Sequence, residues 1–312
     1  MTPPVSPRPP RPRTLLVDGS SLIYRAFFST PETVQTPDGT PVNAAHGFLG
    51  MLARIVSVYD PEELACASDE SWRLDWRVSI LPEYKAHRLN AGSAQAAAEE
   101  AMAYQMPLLF ELLEGCGVRV VGLAEYEAED VIGTLAERAS GTVGIVSGDR
   151  DLFQLVRDPR VWVLYPSKGV GELVRVDEAY IAGKFGIPGR AYGDFAVLRG
   201  DPSDGLPGVR GIGDKTAAQL LSRYGSLEAV VEAAMTGPGT GALGKVRQQL
   251  DYVERAVQVV TIPRDLPIPA VDLTRPRGEP SSEVKGKADA HGLGNALGRL
   301  VTALKGGARP AF

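Results

Sequence analysis

Carboxylates gather at two turns of the stretch 125–155, EYEAEDVIGTLAERASGTVGIVSGDRDLFQL. Glu127, Glu129 and Asp130 follow the apolar run 118–121 and open a helix, while Asp149 and Asp151 follow the next apolar run, 142–146. A strand–helix–strand pattern opens both turns on the same sheet edge, the crevice at the carboxyl ends of parallel strands where such folds place their chemistry. Acids crowded on one edge repel each other unless cations lie among them. Oxygen donors without His or Cys partners suit Mg²⁺ or Mn²⁺ rather than zinc. The competing reading is capping, since an acid in a first helical turn opposes the dipole without any further role. That reading covers either turn alone better than both together.

The elements that must position these acids are read from periodicity. The apolar run 14–17 ends in Asp18-Gly19-Ser20, so a carboxylate stands at a strand end with a glycine behind it for the turn. Tyr24 and Arg25 fall in the first turns of the following helix, near the same crevice. A helix is expected over 43–58, with Phe48, Leu49, Leu52, Ile55 and Val56 at helical spacing. Another short strand, 64–67, again ends near an acid, Asp69. Strands alternating with helices predict a mainly parallel α/β sheet on which these distant acids converge.

Residues 72–88 interleave Arg73, Arg77, Lys85 and Arg88 with Trp72, Trp76 and Tyr84, a composition suited to phosphates and bases or equally to an amphipathic packing segment. Pro82, Asn90 and Gly92 break any single long helix, so 72–103 reads as an excursion from the sheet, with its small-residue half, 89–98, mobile until a ligand orders it. A packing helix to about 113 follows. A strand at 161–165 and a hairpin around Gly169 and Gly171 complete the sheet, and from Asp177 helices take over, two of them between 226 and 260. Beyond 263 the chain reads as irregular, with a last short helix at 293–304. The segment PGVRGIGDKTA (207–217) prescribes a tight helix–hairpin–helix turn. Gly208, Arg210, Gly211, Gly213, Lys215 and Thr216 there can offer backbone N–H groups, a helix N-terminus and cations to a phosphate backbone. Asp201 and Asp204 stand just before it.

A net charge of −5 argues against a partner held by bulk positive charge, yet cations bound by the acids would turn the crevice into one that accepts phosphate. No run of about 18 apolar residues occurs, so no membrane span is expected. The Pro-rich, basic residues 1–13 lack an apolar signal core and read as a disordered tail. Cys66 and Cys116 read as buried, reduced thiols of a cytoplasmic protein.

VDGSSLIYRAF, LPEYKAHR, EAEDVIGTLA, SGDRDLFQLV and GDPSDGLPGVRGIGDKTA, in that order, resemble the 5′-nuclease (flap endonuclease) superfamily, specifically a stand-alone bacterial form of the 5′→3′ exonuclease domain of DNA polymerase I. The likeness implies a PIN-like, mainly parallel sheet flanked by helices (14–176), with a helical arch at about 72–103 and a helix-three-turn-helix subdomain (177–262) before the extension 263–312. It implies hydrolysis of DNA phosphodiesters at 5′ flaps, nicks or 5′ ends in primer removal and repair, by a monomer linked in function to a polymerase and a ligase. Asp18, Asp69, Glu127 and Glu129 would hold one divalent ion and Asp149, Asp151, Asp201 and Asp204 a second, with Asp130 outside them. Lys85 would contact the scissile phosphate, Arg77 and Arg88 would assist it, and Tyr24 would stack on a base. K⁺ would sit on backbone carbonyls of the hairpin. Two spellings depart from the family: EAED for the usual EADD, and Ser203-Asp204-Gly205 for the usual Ser-Asp-Asn. The competing functions are a non-catalytic binder of DNA structures, which would lack the acids, and a PIN-type ribonuclease, which would lack the hairpin.

Overall fold

Short β-branched and leucine-rich runs, each ended by a turn residue, build a sheet in the computed structural model, which describes residues 11–69, 71, 73–89, 94–167 and 169–306. Its strands are β1 (Thr14–Asp18), β2 (Glu63–Ala67), β3 (Arg119–Val121), β4 (Val143–Val146), β5 (Val161–Tyr165) and β6 (Val174–Val176). Their order is β3-β2-β1-β4-β5-β6, parallel throughout except for β6, which returns antiparallel on β5. The strand order reverses between β1 and β4, with Val17 opposite Val146, and a ligand crevice is expected at that switch point.

The pleat sends alternate residues to opposite faces. Leu16, Ala65, Val143 and Ile145 enter one apolar core, and Leu15, Val17, Leu64 and Val146 enter the other. The second face is covered by α1 (Gly19–Ser29), α2 (Asn43–Tyr59) and, after the short α3 (Asp75–Ile80), the long α4 (Ala94–Gly115). The first face is covered by α5 (Ala128–Arg138) and the α-helices between β6 and residue 260. These are α6 (Glu178–Phe185), α7 (Tyr192–Arg199), α8 (Asp214–Tyr224), α9 (Leu227–Thr236), α10 (Gly241–Arg247) and α11 (Leu250–Val260). Apolar residues of α7 to α11 are continuous with the sheet core, so the helical subdomain is anchored rather than tethered.

Several expectations are corrected. The tail was expected to be disordered to residue 13, but Arg11 pairs with Asp60 at 2.9 Å, Pro12 lies against Gly144, and the Arg13 N–H donates to Thr142 Oγ1 at 3.0 Å. The interval 226–260 holds three helices, because Gly237, Gly239 and Gly241 interrupt the periodicity. The extension after 263 holds two helices, α12 (Ser282–Ala290) and α13 (Gly294–Lys305). α12 was missed because Lys285, Lys287 and Asp289 dilute its apolar face, and Ala288 is the residue it buries. α13 packs on α2 and extends the second core with Leu297, Leu300 and Leu304. Residues 90–93 of the stretch expected to be mobile, and Trp72, lie outside the described residues; from Ala94 the chain is α-helical.

Because Leu300 is fully buried at this seam, Leu300→Ala should cost about 2–5 kcal/mol. Urea unfolding checks this: a loss under about 0.5 kcal/mol, the range of surface substitutions, would mean that the last helix is an appendage.

Candidate active site

Each acid of the crevice is placed by a strand end. Asp18 closes β1 and caps α1, its Oδ1 accepting from the Ser21 N–H at 2.9 Å, while Oδ2 accepts from Ser147 Oγ–H at 2.6 Å across the switch point. Gly19 permits this crossing, since a Cβ there would stand 2.6 Å from the Ala67 carbonyl oxygen. Asp69, just past β2, accepts from the Ala128 N–H at 2.6 Å and so ties β2 to the start of α5. Glu127 precedes α5 and Glu129 lies in its first turn. Asp149 follows β4 and accepts from the Asp151 N–H at 2.9 Å.

Asp18, Asp69, Glu127, Glu129 and Asp149 line one cleft of about 990 Å³ together with Tyr24, Arg25, Lys85 and Arg88. Glu129, Asp149 and Asp151 bring one carboxylate oxygen each within 4.8 Å of one another. Burial, with the neighbouring charges as a further cause, raises the carboxyl pKa values: Asp18, beside Asp69, to about 7, and Asp149, beside Asp204, to about 6. Glu129 and Asp151 are held well above the ordinary range, by burial first and by Glu127 and Asp149 respectively. An all-oxygen cluster so short of positive charge fits hard divalent ions.

The protein supplies part of that charge itself. Arg77 is 1% exposed and pairs with Glu127 at 2.9 Å, Glu129 at 3.1 Å and Asp130 at 2.7 Å, its Nη1–H also donating to Tyr84 Oη. The expectation that Arg77 helps at the scissile phosphate is therefore corrected: its guanidinium is sealed behind the carboxylates. The packing reading of the basic aromatic segment applies to Leu74, Arg77, Leu81 and Tyr84, all buried. Asp130, expected outside the ligands, stands behind them. It is fully buried, does not line the cleft, and spends its oxygens on Arg77 and on the Glu127 N–H at 3.0 Å.

Lys85 lines the cleft with Nζ 2.6 Å from Glu127 Oε2. Its backbone is left-handed (φ 50°), a strained setting for a side-chain-bearing residue, and is held by its N–H donating to the Asp204 carbonyl at 2.9 Å. Gly205 explains the departure from Ser-Asp-Asn. It has φ 73°, and a Cβ there would stand 2.3 Å from the Glu83 carbonyl oxygen, so glycine lets the Lys85 segment lie against the Asp204 turn. Arg88 reaches Asp204 at 3.6 Å. Asp201 is 2% exposed and does not line the cleft; Arg199 reaches its Oδ2 at 3.1 Å and Ser203 donates to its Oδ1.

The hairpin lies between α7 and α8. Gly208 is buried and its N–H donates to Tyr252 Oη at 3.0 Å, so its expected contact with DNA is corrected to a turn-forming role at φ 73°. Arg210, Gly211, Gly213 and Lys215 are exposed and Thr216 is half-buried. In the hairpin, the Gly211 carbonyl accepts from Lys245 Nζ at 2.8 Å. Sequence reasoning missed Lys245 and Gln249, whose Oε1 accepts the Arg210 N–H at 2.9 Å; both come from a helix end remote in sequence. It also missed Arg150, which lines the cleft between two ligand candidates.

The 5′-3′ exonuclease N-terminal resolvase-like domain matches residues 13–186, and the 5′-3′ exonuclease C-terminal SAM fold matches residues 187–281. The chain is 45% identical over 300 residues to a 5′-3′ exonuclease of Streptomyces coelicolor, covering 93% of this chain and 99% of that one. It is 40% identical over 264 residues to DNA polymerase I of Mycobacterium tuberculosis, covering 83% of this chain and 28% of the polymerase. Among solved structures, the T5 5′-exonuclease with bound divalent metal ions (zinc) superposes with a TM-score of 0.66 at 15% identity, covering 93% of this chain and 97% of that one.

The raised carboxyl groups carry a pH signature. Asp18 and Asp149 bind their protons more tightly folded than unfolded, so their contribution is whole below the unfolded value of 3.8 and is lost as pH rises through about 6 and 7. In EDTA, Tm should therefore fall between about pH 5 and about pH 8, and Mg²⁺ should restore it most at the upper end. A Tm that rises over this interval in EDTA would contradict the assignment. Gly205→Asn should lower stability by about 1–3 kcal/mol, together with activity, despite restoring the family spelling; wild-type melting and turnover would contradict the close-approach account.

Proposed function

The chain belongs to the 5′-3′ exonuclease family, and on that premise we propose that it hydrolyses phosphodiesters of DNA at 5′ flaps, nicks and 5′ ends in primer removal and repair. The observation that carries this reading is the convergence of Glu129, Asp149 and Asp151 beside Lys85 at the switch point of the sheet. Divalent ions bound there, Mg²⁺ or Mn²⁺, would supply Lewis-acid stabilisation and a nucleophilic water.

The protein's own groups divide the remaining work. Asp18, Asp69, Glu127 and Glu129 would hold one ion, and Asp149, Asp151 and Asp204 the other. Asp201 braces the turn that presents Asp204, whose N–H donates to the Asp201 carbonyl at 3.2 Å. Lys85 would place a fixed positive charge on the scissile phosphate, where negative charge develops. Arg88 would assist from the same segment. Tyr24, half-buried at the cleft rim with Phe28 edge-on at 4.9 Å, would stack on a base. Exposed Arg210, Gly211, Gly213 and Lys215, with Thr216, would grip the duplex backbone without reading sequence. K⁺ at the hairpin enters this reading only as a competitor of the Lys245 ammonium. A monomer working in the cytoplasm beside a polymerase and a ligase completes it.

Asp149→Asn should lower cleavage of 5′-flap DNA in Mg²⁺ by about 10²-fold or more while flap binding persists. Matched 5′-flap DNA, nicked duplex and single-stranded RNA, each with and without Mg²⁺, provide the substrate panel. Binding without cleavage by the wild type would show a DNA-structure binder, and cleavage confined to RNA a ribonuclease.

A further inference from the structure

The turn that carries Asp204 is closed by its own backbone. The Asp201 N–H donates to the Leu206 carbonyl at 3.0 Å, and the Asp201 carbonyl accepts in return from the Leu206 N–H at 2.8 Å and the Asp204 N–H at 3.2 Å. The Asp201 side chain completes this ring. Its Oδ1 accepts from the Ser203 N–H at 2.9 Å and from the Ser203 hydroxyl, and its Oδ2 accepts from Arg199 Nη2 at 3.1 Å. Asp204, so presented, lies beside Asp149 and Asp151.

Arg199 is the last residue of α7, lies outside the cleft, and has a side chain 13% exposed. Its guanidinium stands over the Phe195 ring at 5.0 Å, and its Nε–H donates to the Gly200 carbonyl at 2.8 Å, so the fork meets Asp201 with little freedom left. Toward the hairpin, Nε is 3.8 Å from Asp214 Oδ1 at the start of α8. Gly200 keeps both reaches short. At φ 89°, a Cβ on it would stand 2.8 Å from the Leu206 carbonyl oxygen and 2.9 Å from the Gly208 backbone nitrogen, so the acid turn and the hairpin both rest against the end of α7.

We propose that Arg199 is a positioning residue for the divalent ion on the Asp149, Asp151 and Asp204 side: it fixes Asp201, Asp201 fixes the turn over 201–206, and the turn holds the Asp204 carboxylate toward its neighbours. The guanidinium touches neither the ion nor the reacting atoms. Two effects of opposite sign compete here. A fixed positive charge near a cation site repels the ion, whereas a partner that orients a ligand-bearing turn strengthens binding. Arg199 divides its charge between two carboxylates, Asp201 and Asp214, and spends its fork on geometry, so the orienting effect wins. The inference rests on the nuclease reading above for the identity of the ion.

The test needs no substrate. Mg²⁺ binding is read as the Mg²⁺ concentration that gives half of the full Tm rise, for the wild type, Arg199→Met, Arg199→Lys and Ser203→Ala. Arg199→Met should raise that concentration about 10-fold, the lower end of the loss that follows removal of a partner behind a metal ligand. Arg199→Lys, which keeps the charge without the fork, should fall between Arg199→Met and the wild type. Ser203→Ala, at an exposed position that leaves α7 intact, should shift in the same direction by a smaller factor. On 5′-flap DNA, kcat of Arg199→Met should fall by a similar factor at low Mg²⁺ and recover as Mg²⁺ is raised. A wild-type half-point in Arg199→Met, or in Ser203→Ala where the arginine variant does not fold, overturns the proposal. A half-point below the wild type in Arg199→Met also overturns it, since the guanidinium then acts only as a repelling charge. Either result leaves the nuclease reading standing. A wild type that cleaves no DNA in Mg²⁺ overturns that reading instead, and the half-points still decide the role of Arg199.

Discussion

Arg77 is the contact on which the rest of the site depends. Three carboxylates share its guanidinium, which is 1% exposed. Burying an ion pair is close to neutral at best, but removing one partner from it costs several kcal/mol, because the remaining charges are left in a medium that cannot solvate them. The protein therefore carries part of the compensation within its fold. Arg77 and Lys85 neutralise the side of the cluster at the start of α5, Glu129 included, while Asp149 and Asp151, after β4, are left for ions from outside. The same balance explains why so many acids tolerate one sheet edge.

Much of this was legible in the sequence, and particular residues show why. Asp18, Asp69, Glu127 and Asp149 each follow an apolar run, and strand ends on one sheet edge must meet however far apart they lie in the chain. Periodicity could not assign Arg77. As a letter directly after Trp76 it suits DNA as well as a buried counter-charge, and only the packing of α3 beside α5 decides. Gly205 was equally opaque. Its value lies in a 2.3 Å approach of the Glu83 carbonyl, a contact between segments over a hundred residues apart. Asp201, a ligand candidate by resemblance, also has a partner that the sequence did not announce: Arg199, two residues earlier, reaches its Oδ2 at 3.1 Å. At the far end, α12 hides behind its lysines because it buries little of its own surface.

Contacts between the nuclease sheet and the hairpin argue against their being separable modules. Arg199 touches both Asp201 of the acid turn and, at 3.8 Å, Asp214 at the start of α8. Tyr252 accepts from the Gly208 N–H and donates to the Val197 carbonyl at 3.2 Å, closing the hairpin onto α7. A shared apolar core runs beneath both. Energetically, this makes one cooperative body of what sequence comparison divides near residue 186.

That bracing of α7 sets a length. If the exposed face of the hairpin rests on one stretch of duplex and the acids act on a strand some distance away, a rigid α7 fixes the number of nucleotides between the two. The enzyme then needs no base-specific contact to choose its scissile bond. The position of the cut would then be measured off along the backbone, with a precision inherited from the stiffness of a two-turn helix pinned at its end by one arginine and one tyrosine.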